Sequence, residues 1–148
     1  MKKILFLFPI LFIGCATKTT PIVLTFKGAN VKISDQGFYK KSFFKDEIDI
    51  YVAGNLAFVF KLYKNQICID DKCYEKKLFV NKLNNKYPIN FFDILLDKKE
   101  LPHLKKVKIP NGFKQTDTNI VYIVTENRTF FVDKKNKIIF IMKKLSKK

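Results

Sequence analysis

The spacing of hydrophobic residues changes twice along this chain of 148 residues. In the first half, apolar residues form short runs or alternate with polar residues, as in β-strands, and they do so again after residue 106. Between these parts, Ile89, Phe92 and Leu96 recur at the spacing of one helix face. The chain is therefore expected to be an α+β protein, in which an antiparallel sheet is interrupted by a helical segment.

Strands are predicted where apolar runs are bounded by turn residues. The strongest spans residues 56–63, where Leu56, Phe58, Phe60 and Leu62 fall on one face by alternation. A turn at residues 34–37, Ser-Asp-Gln-Gly, separates two other strands. The predicted strands are 22–26, 31–33, 38–44, 48–52, 56–63, 107–109, 120–125, 129–132 and 138–142, with a hairpin at 67–74 and helices at 75–86 and from 88 to about 97.

The first fifteen residues, MKKILFLFPILFIGC, have the parts of a secretory signal peptide: two lysines, an apolar run and a small residue. The stretch resembles a bacterial lipoprotein signal peptide, with Gly14 and Cys15 at the cleavage site. The resemblance implies that residues 1–14 are removed and that Cys15 carries diacylglycerol and an N-acyl chain such as palmitate. A plain cleaved signal and a retained anchor are the alternatives. The ten apolar residues of 4–13 would span only about 15 Å of a hydrocarbon core about 30 Å thick.

The small and polar residues 15–21 are expected to form a lipidated tether, and residues 22–148 a single β-rich domain. In the sorting scheme of well-studied Gram-negative bacteria, an aspartate after the lipidated cysteine retains a lipoprotein in the inner membrane. Ala16 occupies that position here. We therefore expect the protein to be anchored in the outer membrane and to face the periplasm.

The charge of the chain is strongly positive, +16 at pH 7, and only two of its lysines precede the predicted cleavage site. Such an excess can match nucleic acid, but secretion separates the protein from it. Anionic lipid headgroups are the partners expected at a membrane surface. Codon bias in an AT-rich genome is an alternative cause, since the chain is rich in Lys, Asn, Ile and Phe and has no Trp.

Two cysteines remain after lipidation, Cys68 and Cys73, and they flank Asp70-Asp71. If these aspartates form a two-residue hairpin loop, the cysteines are directly opposed in a non-hydrogen-bonded pair, at a distance that a disulfide tolerates. An even number of remaining cysteines in an oxidising compartment therefore predicts a cross-strand disulfide. A redox-active pair is the alternative, although the spacing is not that of a Cys-x-x-Cys motif.

The sequence carries few of the residue patterns that catalysis needs. It contains no P-loop, nucleophile elbow or His-x-x-x-His pair. The single histidine, His103, has no carboxylate beside it in sequence and is interpreted as a loop residue. We therefore expect a protein that is not an enzyme and that holds no cofactor apart from the covalent lipid on Cys15.

The order of strands, helical insertion and further strands behind a lipoprotein signal resembles the lipoprotein-localisation carriers and receptors, the LolA and LolB fold. The residues that carry the resemblance are Tyr87-Pro88 with the apolar helix after them, and 112–115 leading into the final strands. The resemblance implies an open, strongly curved half-barrel with two helices on its concave face, enclosing acyl chains. The apolar residues expected to face such a ligand are Leu56, Phe58, Phe60, Leu62, Phe92, Leu95 and Leu96.

Two functions are consistent with these features. The first is a lipoprotein that holds a lipid, or the acyl chains of another lipoprotein, between sheet and helix, where burial is worth about 0.8 kcal/mol per CH₂. The second is a structural or assembly lipoprotein that contacts a cell-envelope complex. The partners expected are membrane lipid, lipoproteins or such a complex, and no nucleic acid. A filled core is the alternative interpretation of the same phenylalanines.

Overall fold

A computed structural model describes residues 17–146 of the chain. The predicted signal peptide and the predicted lipidation site, Cys15, lie outside the described residues. The described part contains eleven strands and two helices. They are β1 Lys18–Gly28, β2 Val31–Lys41, β3 Asp46–Val52, β4 Asn55–Leu62, β5 Gln66–Ile69, β6 Lys72–Glu75, α1 Lys76–Leu83, α2 Phe91–Asp97, β7 Lys106–Ile109, β8 Gly112–Thr116, β9 Ile120–Thr125, β10 Arg128–Asp133 and β11 Ile138–Lys144.

The strands form one antiparallel sheet in the order β6-β5-β4-β3-β2-β1-β11-β10-β9-β8-β7. The first and last strands of the chain, β1 and β11, pair in its middle. The sheet is not closed, because β6 and β7 each have one unpaired edge. The helices follow β6 and precede β7, so the helical segment joins the two edges. The predicted antiparallel sheet with a two-helix insertion is therefore confirmed.

Two predicted boundaries were wrong near the start of the chain. The tether was predicted to run to residue 21, but residues 18–21 pair with residues 38–41 of β2. The turn predicted at 34–37 lies inside β2, which is continuous. Gly37 is needed there because a Cβ would come within 1.9 Å of the Asp49 carbonyl oxygen. The glycine therefore permits close strand approach and marks no turn.

The strand predicted at 38–44 ends three residues early, at Lys41. A short turn follows, in which the Ser42 hydroxyl donates to the Lys45 carbonyl oxygen at 2.7 Å. The turn exposes Phe43 and Phe44, with 92% and 73% of their surface accessible. These two aromatic residues therefore do not extend the sheet.

Both helices pack against one face of the sheet, and the core lies between them. The sheet side of the core is built from alternate strand residues, as the period of a strand requires. Phe91, Phe92 and Leu95 of α2 are each no more than 2% exposed. The principal sheet residues in the core are Ile22, Leu24, Phe26, Ile48, Ile50, Phe60, Tyr122, Phe131, Phe140 and Met142.

Because neighbouring strands are antiparallel, the turns that connect consecutive strands lie alternately at the two ends of the sheet. At one end, which we call the tether end, the start of β1, the end of β2 and the end of β11 meet, since Lys18 pairs with Lys41 and Ile22 pairs with Lys144. The opposite end, which we call the distal end, contains the turns after β1, β3 and β5. Lys18 is three residues beyond Cys15. The N-terminal end of the described residues therefore lies at the tether end.

Candidate functional site

The residues predicted to face an apolar ligand are almost all buried in the core. Phe58, Phe60 and Leu62 of β4 are 6%, 4% and 3% exposed. On the facing helix, Phe92, Leu95 and Leu96 are 2%, 0% and 5% exposed. The structure therefore brings six of the seven predicted residues together, but with their side chains packed in one core.

Phe92 lies at the centre of this core. Its ring is 5.2 Å from that of Phe60 and 5.9 Å from that of Phe26, measured between ring centroids. The rings of Phe79 and Phe140 lie 6.0 and 6.4 Å away. Most of these pairs are tilted or edge-to-face, the geometry that aromatic rings prefer. In the described conformation, the space expected for acyl chains is therefore occupied by aromatic side chains.

Leu56 does not belong to this set. The register between β3 and β4 shifts between Ile50 and Tyr51, so that Phe58 pairs with Ile50 while Leu56 pairs with Tyr51. An extra residue of this kind interrupts the alternation of faces. Leu56 is 54% exposed as a result. The expectation that all four apolar residues of β4 share one face was wrong at this position.

Polar side chains of the sheet hold the C-terminal part of α2. The Tyr122 hydroxyl donates to the Lys99 carbonyl oxygen at 2.8 Å, and the Thr129 hydroxyl donates to that of Leu95 at 3.2 Å. Leu95 is in the last turn of α2, where carbonyl groups have no partner within the helix, and Lys99 follows the helix, so both bonds satisfy main-chain acceptors that the helix leaves unpaired. They fix the position of α2 on β9 and β10.

A partly buried ion pair joins the two helices. The Lys76 ammonium group lies 3.1 Å from the nearer carboxylate oxygen of Asp93. Lys76 is only 5% exposed, and a charge at that burial requires a partner. The pair therefore connects α1 to α2, so that the two helices cover the sheet together.

A cleft of about 510 Å³ opens at the distal end of the sheet. The Tyr87 hydroxyl donates there to Asp133, which is 2% exposed and also accepts hydrogen bonds from Asn136. Burial acts to raise the pKa of Asp133, but the hydrogen bonds from Tyr87 and Asn136 outweigh it and hold the pKa below its usual value. His103 lines the cleft from the loop between α2 and β7, as predicted for a loop residue. Of the predicted ligand-facing residues, none lines this cleft.

The predicted disulfide is confirmed. Cys68 of β5 and Cys73 of β6 are directly opposed and bonded, with their Cα atoms 4.0 Å apart. Asp70 lies in the turn between them with a φ of 52°, and its carboxylate accepts a hydrogen bond from the Val59 amide at 2.9 Å. The disulfide therefore closes the β5–β6 hairpin at the edge of the sheet, beside β4.

No group of three or more His, Cys, Asp or Glu side chains within residues 17–146 is placed to hold a metal ion. Neither α1 nor α2 is long and apolar enough to cross a membrane, and the same holds for every helix of the described part. No protein-family model matches the chain, and no curated protein or solved structure matches it either. We therefore infer the function of the chain from the arrangement of its described residues.

Proposed function

We propose that the chain is an outer-membrane lipoprotein, anchored through Cys15 and facing the periplasm, whose helical cover opens to admit the acyl chains of a lipid or of another lipoprotein. The proposal rests on how the helical cover, which consists of α1 and α2, is connected to the sheet. The helices join the two unpaired edges of an open sheet and lie on one apolar face of it. Their displacement would uncover that face without breaking any hydrogen bond between strands.

Strong curvature of the sheet, as in a half-barrel, is supported by the contacts of α2. Phe60 in β4 and Phe131 in β10 are five strands apart, which is about 24 Å in a flat sheet. Yet Phe60 touches Phe92 at 5.2 Å, Phe92 touches Phe91 at 5.3 Å, and Phe91 touches Phe131 at 5.0 Å. A sheet that curves around α2 accounts for these short distances.

The energies of opening and of ligand burial are of similar size. Exposing the five buried apolar side chains of α2 costs about 8 to 15 kcal/mol, at about 1.5 to 3 kcal/mol each. One acyl chain of about 15 methylene groups gains about 12 kcal/mol when it leaves water. An acyl chain that is already in a bilayer gains no comparable free energy, because it is already out of water. The balance therefore favours a lipidated protein delivered through the periplasm over a lipid extracted from the membrane.

The proposal is tested by photo-crosslinking in cells. A photoreactive phenylalanine analogue is placed at Phe92, and in a second strain at Phe130, which lies on the same sheet but outside the core. Adducts that contain acyl chains at position 92 and not at position 130 support the proposal. A folded protein that gives no acyl adduct at position 92 contradicts it.

An assembly role is the second candidate, and the filled core together with the distal cleft favours it. The cleft lies at the end of the sheet opposite the tether, where it would face away from the membrane. The same photoreactive analogue at Ile120, which lines the cleft, would crosslink to an envelope protein if this role is correct. Recovery of lipid alone from such crosslinked envelopes would count against it.

A further inference from the structure

A second cleft, of about 400 Å³, lies at the tether end of the sheet. It is lined by cationic side chains that come from β1, β2, β11 and the end of α2. One carboxylate lines the cleft with them, while Asp46 and Glu126 lie nearby outside the lining. The charged residues of this cleft, which we call the basic cleft, are Lys18, Lys41, Asp97, Lys98, Lys99 and Lys144.

The single carboxylate does not neutralise the basic cleft. Asp97 pairs with Lys41 and, at 2.9 Å, with Lys99. Lys98 donates to the carbonyl oxygen of Thr125 at 2.7 Å. Within residues 17–146, Lys18 and Lys144 form no ion pair at all. Uncompensated positive charge therefore remains in the cleft.

The effect of this charge is visible at Lys98. Burial lowers the pKa of its ammonium group, and repulsion from Lys144 lowers it further, to about 8. Glu126 opposes the shift but does not cancel it. An anion bound in the cleft would offset the repulsion between the Lys98 and Lys144 ammonium groups. The electrostatic environment therefore favours a negatively charged ligand.

A buried hydrogen-bond donor also lines the basic cleft. Tyr39 is 7% exposed, and its hydroxyl group is the one buried side-chain polar atom of residues 17–146 without a hydrogen-bond partner. Asp46 and Asp97 both act on the hydroxyl through their charge, and Asp46 is near enough to interact with it as an acceptor, but no hydrogen bond of ordinary geometry forms. Unpaired buried donors are costly and rare. A ligand oxygen in the cleft would satisfy this one.

The surroundings indicate where such a ligand comes from. The exposed aromatic residues Phe43 and Phe44 follow Lys41 after one intervening serine, and Cys15 is three residues before Lys18. Aromatic side chains beside cations are typical of segments that lie in a membrane interface. The basic cleft therefore lies where the domain would meet the leaflet that anchors it.

We propose that the basic cleft binds the phosphate group of an anionic phospholipid in the anchoring leaflet, with Lys18 and Lys144 neutralising its charge and the Tyr39 hydroxyl donating a hydrogen bond to it. The inference rests on the membrane anchoring in the proposed function and does not depend on acyl-chain binding. It assigns the tether end to the membrane surface and leaves the distal end in the periplasm.

The test is lysine labelling of the mature lipidated protein in vesicles. Three samples are compared: phosphatidylcholine vesicles, the same with added inorganic phosphate, and vesicles that contain phosphatidylglycerol. Acetylation rates are read by peptide mass spectrometry at Lys18 and Lys144, with Lys134 and Lys135 at the distal end as controls. We expect labelling at Lys18 and Lys144 to slow about fivefold only with phosphatidylglycerol, with the controls unchanged. The conservative variant Tyr39→Phe, which loses only the unpaired hydroxyl, should reduce this protection by at least half.

Three results would overturn the inference. Equal slowing at the control lysines would mean general attraction to an anionic surface. Equal protection by inorganic phosphate would assign the cleft to a soluble anion. Full protection of Lys18 and Lys144 in Tyr39→Phe would mean that the Tyr39 hydroxyl does not bind the phosphate group. The mass of the protein shows separately whether Cys15 is acylated. If it is not, the same labelling experiment with unacylated protein and added vesicles still tests lipid binding by the basic cleft.

Discussion

The ring of Phe60, in the middle of β4, lies 5.2 Å from the ring of Phe92, in the first turn of α2. This contact joins the sheet to its helical cover at the position expected for an acyl ligand. It makes Phe92 both a core residue and the side chain that an acyl chain would have to displace. Under the proposed function, stability and acyl binding would therefore be coupled at this residue.

Truncation of Phe92 should destabilise the protein strongly. Phe92 is 2% exposed, and Phe92→Ala removes its contacts with five neighbouring rings, so we expect it to lower the free energy of unfolding by about 3 to 5 kcal/mol. Urea unfolding of the mature protein measures the change. Phe43→Ala, at a site 92% exposed, is the matched control and should stay within about 0.5 kcal/mol of wild type. Similar losses in both variants would mean that Phe92 is not central to the core.

Cys15→Ser should abolish acylation and release the protein from the membrane fraction. The thioether to diacylglycerol requires the sulfur atom, so mass spectrometry and fractionation should both change. Cys73→Ser is the matched control, because it opens the hairpin but leaves the anchor. It should stay in the membrane fraction and lose about 2 kcal/mol of stability, as expected for a short disulfide loop. A Cys15→Ser protein that remains membrane-bound would remove the lipid anchor from this account.

Stability should rise with pH between about 8 and 9.5 because of Lys98. Its pKa is lowered from 10.5 to about 8 in the folded protein, so the unfolded chain binds more protons in this interval and raising the pH favours folding. Lys144→Gln removes one cause of the shift and should flatten the rise, while Lys143→Gln should not. Denaturant midpoints at several pH values measure this. A rise of equal slope in Lys144→Gln would contradict the assigned repulsion.

Phe44→Trp should report directly on membrane contact, because the chain contains no tryptophan. In vesicles of anionic lipid, the emission should shift to shorter wavelength and be quenched by brominated acyl chains. Val52→Trp, at an exposed site on the distal end of β3, provides the control and should keep the emission of a residue in water. Quenching at position 52 but not at 44 would place the opposite end of the domain on the membrane.

The sequence predicted the features that depend on local patterns. Alternation located most strands, and the helical stripe located α2, because burial of one face imposes those periods. The disulfide was predicted for a similar reason, since two aspartates between opposed cysteines leave few other pairings. These features need no knowledge of distant parts of the chain.

Features that depend on tertiary contacts were missed. Gly37 has the composition of a turn, but its role is to admit the Asp49 carbonyl of the neighbouring strand. The register shift that exposes Leu56 leaves no signal in the sequence of β4. The basic cleft combines residues as distant as Lys18 and Lys144 with the hydroxyl of Tyr39, and only the pairing of β1 with β2 and β11 brings them together. The lysines alone could not be distinguished from a solvated surface.

The proposed function requires α2 to leave the sheet when an acyl chain enters, so the distance from α2 to the sheet must then increase. Spin labels are placed at the exposed residues Lys99, after α2, and Lys143 of β11, and the distance is recorded before and after a triacylated peptide is added. A second pair, at Lys32 and Lys143, reports on the sheet alone. We predict that bound peptide adds a longer distance to the first pair and leaves the second pair unchanged. An unchanged distance between Lys99 and Lys143 at saturating peptide would mean that α2 stays on the sheet, contrary to the proposed function.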